Sequence, residues 1–435
     1  MYRPHSIRRH DITEGNLVKA PSRRARRLRA AGVVLAASAA LAGGLTACSS
    51  DESSSTTSSS GPTVELTSNP ASGEAIKIGF ITPEGGAVSL PQLREAGEAA
   101  AKYLNENGGG IKGHKVDLVV CKELEEPASA TSCANQMVEQ KASVVVSPFT
   151  STGAVILPIL SGANIPYVAI SGVSQAEMAS PMAFMLTGGS VGAMSAMATQ
   201  AAKDGVKKFS VIIGDTGDAA ASTKALGEPM FKAAGVDLSV ITVPTSIADP
   251  TPNITAAINE NKPDAVTILG DSRQCTTALK ALQTAAPGMK QYLISTCIDK
   301  SVVDAVGVDA IAGGTTFTTV NLDDQTDESV KVYRSVMAQY APDVDPNGIA
   351  YMGYQAVMAL NGLGAQLPTG AVTAQDMTNA LRTSKNVPVP AAPGLTYTCD
   401  GKAMPMLPSL CGMGVLVSKV SSDGKLTDTV VLNQH

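Results

Sequence analysis

The sequence predicts an α/β protein of two lobes, each a parallel sheet covered on both faces by helices. Three observations carry this. From Ile76 onward short apolar runs alternate with amphipathic segments of helical period, and after a break the alternation starts again. Apolar runs of strand length with no polar face belong to strands buried on both sides, as in parallel sheets sandwiched by helices. Gly, Ser, Thr and Asp gather just past the carboxyl ends of these strands, where open parallel sheets bind ligands.

The 435-residue chain opens with a leader. Arg23, Arg24, Arg26, Arg27 and Arg29 form a basic region, and the stretch 30–47 is apolar with small residues near its end. That is the layout of a secretory signal, too short to span a bilayer comfortably. Leu45-Thr46-Ala47-Cys48 resembles the bacterial lipobox, which implies cleavage before Cys48 and acylation of that cysteine. Two or more chains on one residue make a stable anchor. Residues 48–75 are rich in Ser, Thr, Gly and Pro and read as a lipidated, disordered tether. A coil of that length holds the folded part roughly 30 Å from the membrane.

Ile76 to Ile81 reads as the first strand. Ser89-Leu90-Pro91-Gln92 offers an N-cap, an early proline and a capping-box glutamine, and Leu93, Ala96, Ala100, Tyr103 and Leu104 line one face of the helix that follows. Gly108-Gly109-Gly110 stops that helix, and Val116 to Val120 is the next strand. Helix 128–140, strand 142–147, helix 152–162 and strand 167–171 continue the pattern. It restarts with strands near 209–214, 237–243, 265–270 and 291–296, with helices between them.

The stretches IKIGFITPEGG from Ile76, AGEAAAKYLNENGGGIKGHKVDLVVCKELEEPASATSCANQMV from Ala96 and ASVVVSPFTSTGAVILPILSGANIPYVAIS from Ala142 resemble the branched-chain amino-acid-type solute-binding proteins of ABC transporters. The resemblance implies the type I periplasmic-binding fold, two lobes joined by a hinge of three crossovers. Residues 76–190 and 318–415 would form lobe 1, and 191–317 with 416–435 lobe 2. It also implies that a monomer closes over a small polar solute, an amino acid or a related carboxylate or amide, and delivers it to a permease. A lipid-anchored sensor of the same fold, feeding a signalling partner, is the alternative. Either protein would sit on the extracytoplasmic face of a bacterial cell membrane.

Removing residues 1–47 strips nine basic and two acidic side chains and moves the formal charge from −5 to −12. An acidic surface argues against nucleic acid as a partner. Tryptophan is absent, so the core rests on aliphatic side chains and methionine. Six cysteines follow Cys48: Cys121, Cys133, Cys275, Cys297, Cys399 and Cys411. Six allow 15 pairings, and spacing favours three local pairs in chain order. With no C-x-x-C and two histidines past the leader, neither a metal site nor another cofactor is expected.

Gly188-Gly189-Ser190-Val191-Gly192 satisfies the G-x-S-x-G pattern of hydrolases. The only histidine after it is His435, and His114 reads as a solvated turn residue, so the chain is expected to bind rather than catalyse. The resemblance supplies the binding residues. Ser151, flanked by Thr150 and Thr152, matches a serine that grips a ligand carboxylate where a helix begins, and helix N-termini attract anions on general grounds. Val173 and Ser174 match the second contact stretch. The aromatic residues usual in the other lobe are missing, and Asp218, Asp271 and Asp299 stand near those places instead.

Overall fold

The computed structural model describes residues 61–86, 88–215, 219–244, 247 and 249–433. Strands β1 (Gly73–Pro83), β2 (His114–Glu123), β3 (Val144–Ser147), β4 (Tyr167–Ala169) and β5 (Ala183–Met185) pair in parallel in the order β2-β1-β3-β4-β5. Alternation along β1 decides its two faces. Ile76, Ile78 and Phe80 enter one buried cluster, and Ile81 enters another on the opposite side with Val145 and Tyr167. The first cluster is completed by chain that returns much later, through Val330, Tyr333, Tyr354 and Leu360. There the helix Ala350–Met358 crosses Pro91–Glu106 so closely that a Cβ on Gly353 would lie 1.9 Å from the carbonyl oxygen of Leu93.

The second sheet contains β6 (Lys208–Asp215), β7 (Asp237–Pro244), β8 (Ala265–Leu269), β9 (Lys290–Ile294) and β10 (Thr315–Thr318). A short hairpin, β11 (Val387–Pro388) with β12 (Thr396–Tyr397), belongs to the returning segment. The chain then re-enters the second sheet as β13 (Val415–Val420) and β14 (Leu426–Leu432), giving the order β14-β13-β10-β9-β8-β6-β7. The two-lobed fold expected from sequence is the one observed, and the chain passes between the sheets three times. One edge departs from the expected all-parallel pattern, since β13 and β14 run antiparallel. In the absence of tryptophan, Phe209, Phe231, Tyr292 and Phe317 stack in this lobe with ring centroids 4.8–5.2 Å apart.

Cys121 bonds to Cys133, Cys275 to Cys297 and Cys399 to Cys411. Among the described residues no helix is long and apolar enough to cross a membrane. Cys48 lies outside the described residues.

Three local expectations need correction. The folded body begins well before residue 76. Ser335 Oγ accepts from the Val64 N–H at 2.7 Å and donates to the Val64 carbonyl at 2.8 Å, and Leu66 packs against the core. Polar composition concealed this, because backbone groups make most of the contact. Ser89 is not the N-cap; Leu90 is, and the Ser89 hydroxyl accepts from the Gly85 N–H instead. His114 is buried rather than solvated, its Nδ1 2.8 Å from the Glu74 carbonyl and its Nε2 2.9 Å from that of Pro368.

Candidate functional site

The carboxyl edge of the first sheet presents the loops after β2, β3 and β4. After β3, Thr150 and Thr152 are buried and bond to each other, Oγ1 to Oγ1 at 2.8 Å, and the Thr152 N–H donates to Thr150 Oγ1 at 3.0 Å. These two threonines shape the loop. Ser151 between them is exposed, at the approach to the helix Gly153–Gly162. Its N–H donates to Glu125 Oε2 at 2.9 Å, and its hydroxyl donates to the same oxygen. Glu125 arrives from the loop after β2 with φ at 60°, a left-handed conformation uncommon outside glycine.

The loop after β4 repeats the arrangement. Ser174 caps the short helix Gln175–Ala179 in a reciprocal capping box with Glu177. The buried Glu177 carboxylate accepts from the Ser174 N–H at 2.8 Å, the Ser174 hydroxyl at 2.9 Å and the Val173 N–H at 3.2 Å. Its other oxygen accepts from the Tyr167 hydroxyl at 3.2 Å. The Val173 side chain is about half exposed. Burial, and next the Glu177 charge, push the Tyr167 phenol well above its usual range. Thus both serines matched to ligand binding already serve carboxylates of this chain.

The second sheet contributes Asp271 and Asp299. Asp271 is exposed and caps the helix Ser272–Ala285, accepting from the Gln274 N–H at 2.8 Å. Asp299 follows the turn after β9, partly buried, and makes no capping bond to the helix Lys300–Val306. Burial, and then the charge of Asp345, raise its pKa to about 6. Asp345 belongs to the returning segment of the first lobe, as does Tyr351, which is within hydrogen-bonding reach of Ser295 and Thr319 at the ends of β9 and β10. The carboxyl ends of the second sheet therefore meet the first lobe here. Asp218 lies outside the described residues. Beside β6, β7 and β8 is an apolar cavity of about 270 Å³, lined by Ile212, Pro244, Ile254 and Leu269 with Arg273 and Gln274.

Ser190 does not form a nucleophile elbow. It is exposed in the first turn of the helix Gly189–Lys203, and both nitrogens of His114 face backbone carbonyls elsewhere. Sequence reasoning missed Glu125, Glu177, Asp345 and Tyr351. The S-x-x-E spacing of Ser174 and Glu177 could have revealed one of them as a capping box. Nothing local announces Glu125, which meets Ser151 from a different loop.

The profile described as periplasmic binding protein matches residues 75–410. No curated protein sequence matches. Among solved structures, a leucine-binding protein from Thermotoga maritima MSB8 superposes with a TM-score of 0.64 at 17% identity, covering 82% of this chain and 99% of its own. An ABC-transporter solute-binding protein from Rhodopseudomonas palustris HaA2, in complex with p-hydroxybenzoic acid, gives 0.66 at 18% identity, covering 83% and 98%. An ABC transporter substrate-binding protein from Sphaerobacter thermophilus gives 0.67 at 17%, covering 82% and 97%.

Proposed function

Since the chain belongs to the periplasmic binding protein family, we propose that it is a lipid-anchored receptor on the extracytoplasmic face of a bacterial membrane. It captures a small polar solute between its lobes and hands it to an ABC permease. The observation that carries this reading is the junction at which Asp345 and Tyr351 of one lobe meet Asp299, Ser295 and Thr319 at the strand ends of the other. Ligands of open parallel sheets bind at such ends. Hydroxyls and carboxylates gathered there, Asp345 exposed and Ser295, Thr319 and Asp299 half-buried, supply directional contacts, and rotation about the crossovers lets both lobes apply them together. The structural relatives include a leucine-binding protein and one holding p-hydroxybenzoic acid, so solutes of that size set the scale.

The test is a thermal-shift panel of amines, amides, polyols, amino acids and aromatic acids on the soluble protein, with hits followed by small-angle scattering. A solute at a hundredfold excess over its Kd should stabilise the protein by about 2.7 kcal/mol, and the same solute should shrink the radius of gyration as the lobes close. A panel in which nothing stabilises the protein, or a binder that leaves its dimensions unchanged, would count against the reading.

A further inference from the structure

We infer that Glu125 is the specificity-determining residue of the first lobe: its carboxylate fills the seat formed by the N–H and O–H of Ser151, so the cleft selects solutes without a carboxylate. The inference rests on the cleft being the solute site.

Ser151 offers two donors side by side at the approach to a ten-residue helix, an arrangement that suits an anion electrostatically. Both donors converge on one oxygen, Glu125 Oε2. A solute carboxylate would have to displace a group of its own charge that is already covalently tethered in place. Tethering gives Glu125 the advantage of a high effective concentration, so free acids compete poorly.

The setting of Glu125 fixes it further. Its second oxygen, Oε1, is buried without a hydrogen-bond partner, and so is Oε2 of the fully buried Glu123. The two side chains lie within hydrogen-bonding reach of each other. Burial first, and the neighbouring Glu125 carboxyl in addition, raise the Glu123 pKa against the pull of the Glu125 and Glu126 N–H groups. A proton on Glu123 would let its Oε2 donate to Glu125 Oε1, satisfying both orphaned oxygens and locking Glu125 toward Ser151. The rest of the cleft agrees. Glu177 occupies the donors of Val173 and Ser174 in the same manner, while Asp299 and Asp345 place negative charge where the two lobes meet. A cationic or uncharged donor-bearing solute fits these surroundings, and an acid does not.

The experiment uses matched probes: leucine against isoamylamine, 4-hydroxybenzoate against 4-hydroxybenzylamine, and propionate alone. Calorimetry is run on the wild type, Glu125→Gly and Glu125→Gln. Glycine empties the seat and accepts the positive φ, and glutamine keeps the side chain but removes its charge. Freeing two donors to an ionised group should improve carboxylate binding by tenfold or more. The expected result is that Glu125→Gly takes propionate and the other acids at least tenfold more tightly than wild type, with Glu125→Gln between them. Equal carboxylate affinity in wild type and Glu125→Gly overturns the inference, and so does a variant that gains no affinity for any acid. The receptor reading fails separately. If no solute of the wider panel binds wild type while Glu125→Gly gains propionate, the seat stands and the transport function falls.

Discussion

Asp299 follows the turn after β9 with a carboxyl that makes no capping bond. Its pKa rises from the ordinary 3.8 to about 6, through burial and then through Asp345. An unfolded chain ionises this group near pH ~4, so between ~4 and ~6 only the folded form keeps the proton. The stability it contributes is therefore complete below about pH 4 and is lost as pH rises through 6. Two pH units correspond to ~3 kcal/mol, reduced by partial exposure to ~2 kcal/mol. Asp299→Asn should abolish that part of the pH slope and leave the unliganded protein more stable above pH 6, as urea midpoints across pH would show. Identical slopes in the two proteins would sink this account. A charge disfavoured in the free protein is one that a cation entering the cleft can relieve, as expected of functional carboxylates. Sequence placed Ser151, Ser174, Asp271 and Asp299 at strand ends, because strand periodicity is legible and hydroxyls or carboxylates at those ends stand out. Their partners were hidden. Glu125 lies 26 positions from Ser151, and no period or spacing links two loops that come together only when β2 and β3 flank β1.

Among the elements, the helix Gly153–Gly162 starts against a buried charge. A Cβ on Gly153 would lie 2.0 Å from Glu177 Oε1, so any larger residue there requires Glu177 to shift. Glu177 has little room to yield, because donors from Val173, Ser174 and Tyr167 surround it. Gly153→Ala should therefore destabilise the protein by about 1–3 kcal/mol, the usual range for overpacking, although alanine is the better helix former. Chemical denaturation measures this, and a neutral or stabilising effect would show that Glu177 moves freely. The strands and most helices were readable because buried apolar runs and helical stripes persist over many residues. Caps were less so. Ser89 has the right neighbours for an N-cap, yet its hydroxyl serves Gly85, since loop geometry rather than local composition decides which donor it meets. The antiparallel pair β13 and β14 escaped for a related reason: strand direction is fixed by the route of the chain, which the residues of a short strand do not encode.

For the whole molecule, were Cys48 to anchor the chain, the reach of the body would depend on where the chain first attaches to it. Sequence composition placed that point near residue 76, but Val64 is already held by Ser335 and Leu66 by the core. Cys48 and Val64 are sixteen positions apart. If Cys48 is the acylated residue, Cys48→Ala should move the protein from the membrane fraction into the medium or soluble fraction, with solute affinity and melting temperature unchanged. Multiple acyl chains account for stable membrane residence, and the cleft is built from residues far along the chain. Fractionation with a carbonate wash, followed by calorimetry on the released protein, tests both halves. A Cys48→Ala protein that still sediments with membranes would place the anchor elsewhere, and one that is released but binds solute differently would mean that the tether acts on the cleft.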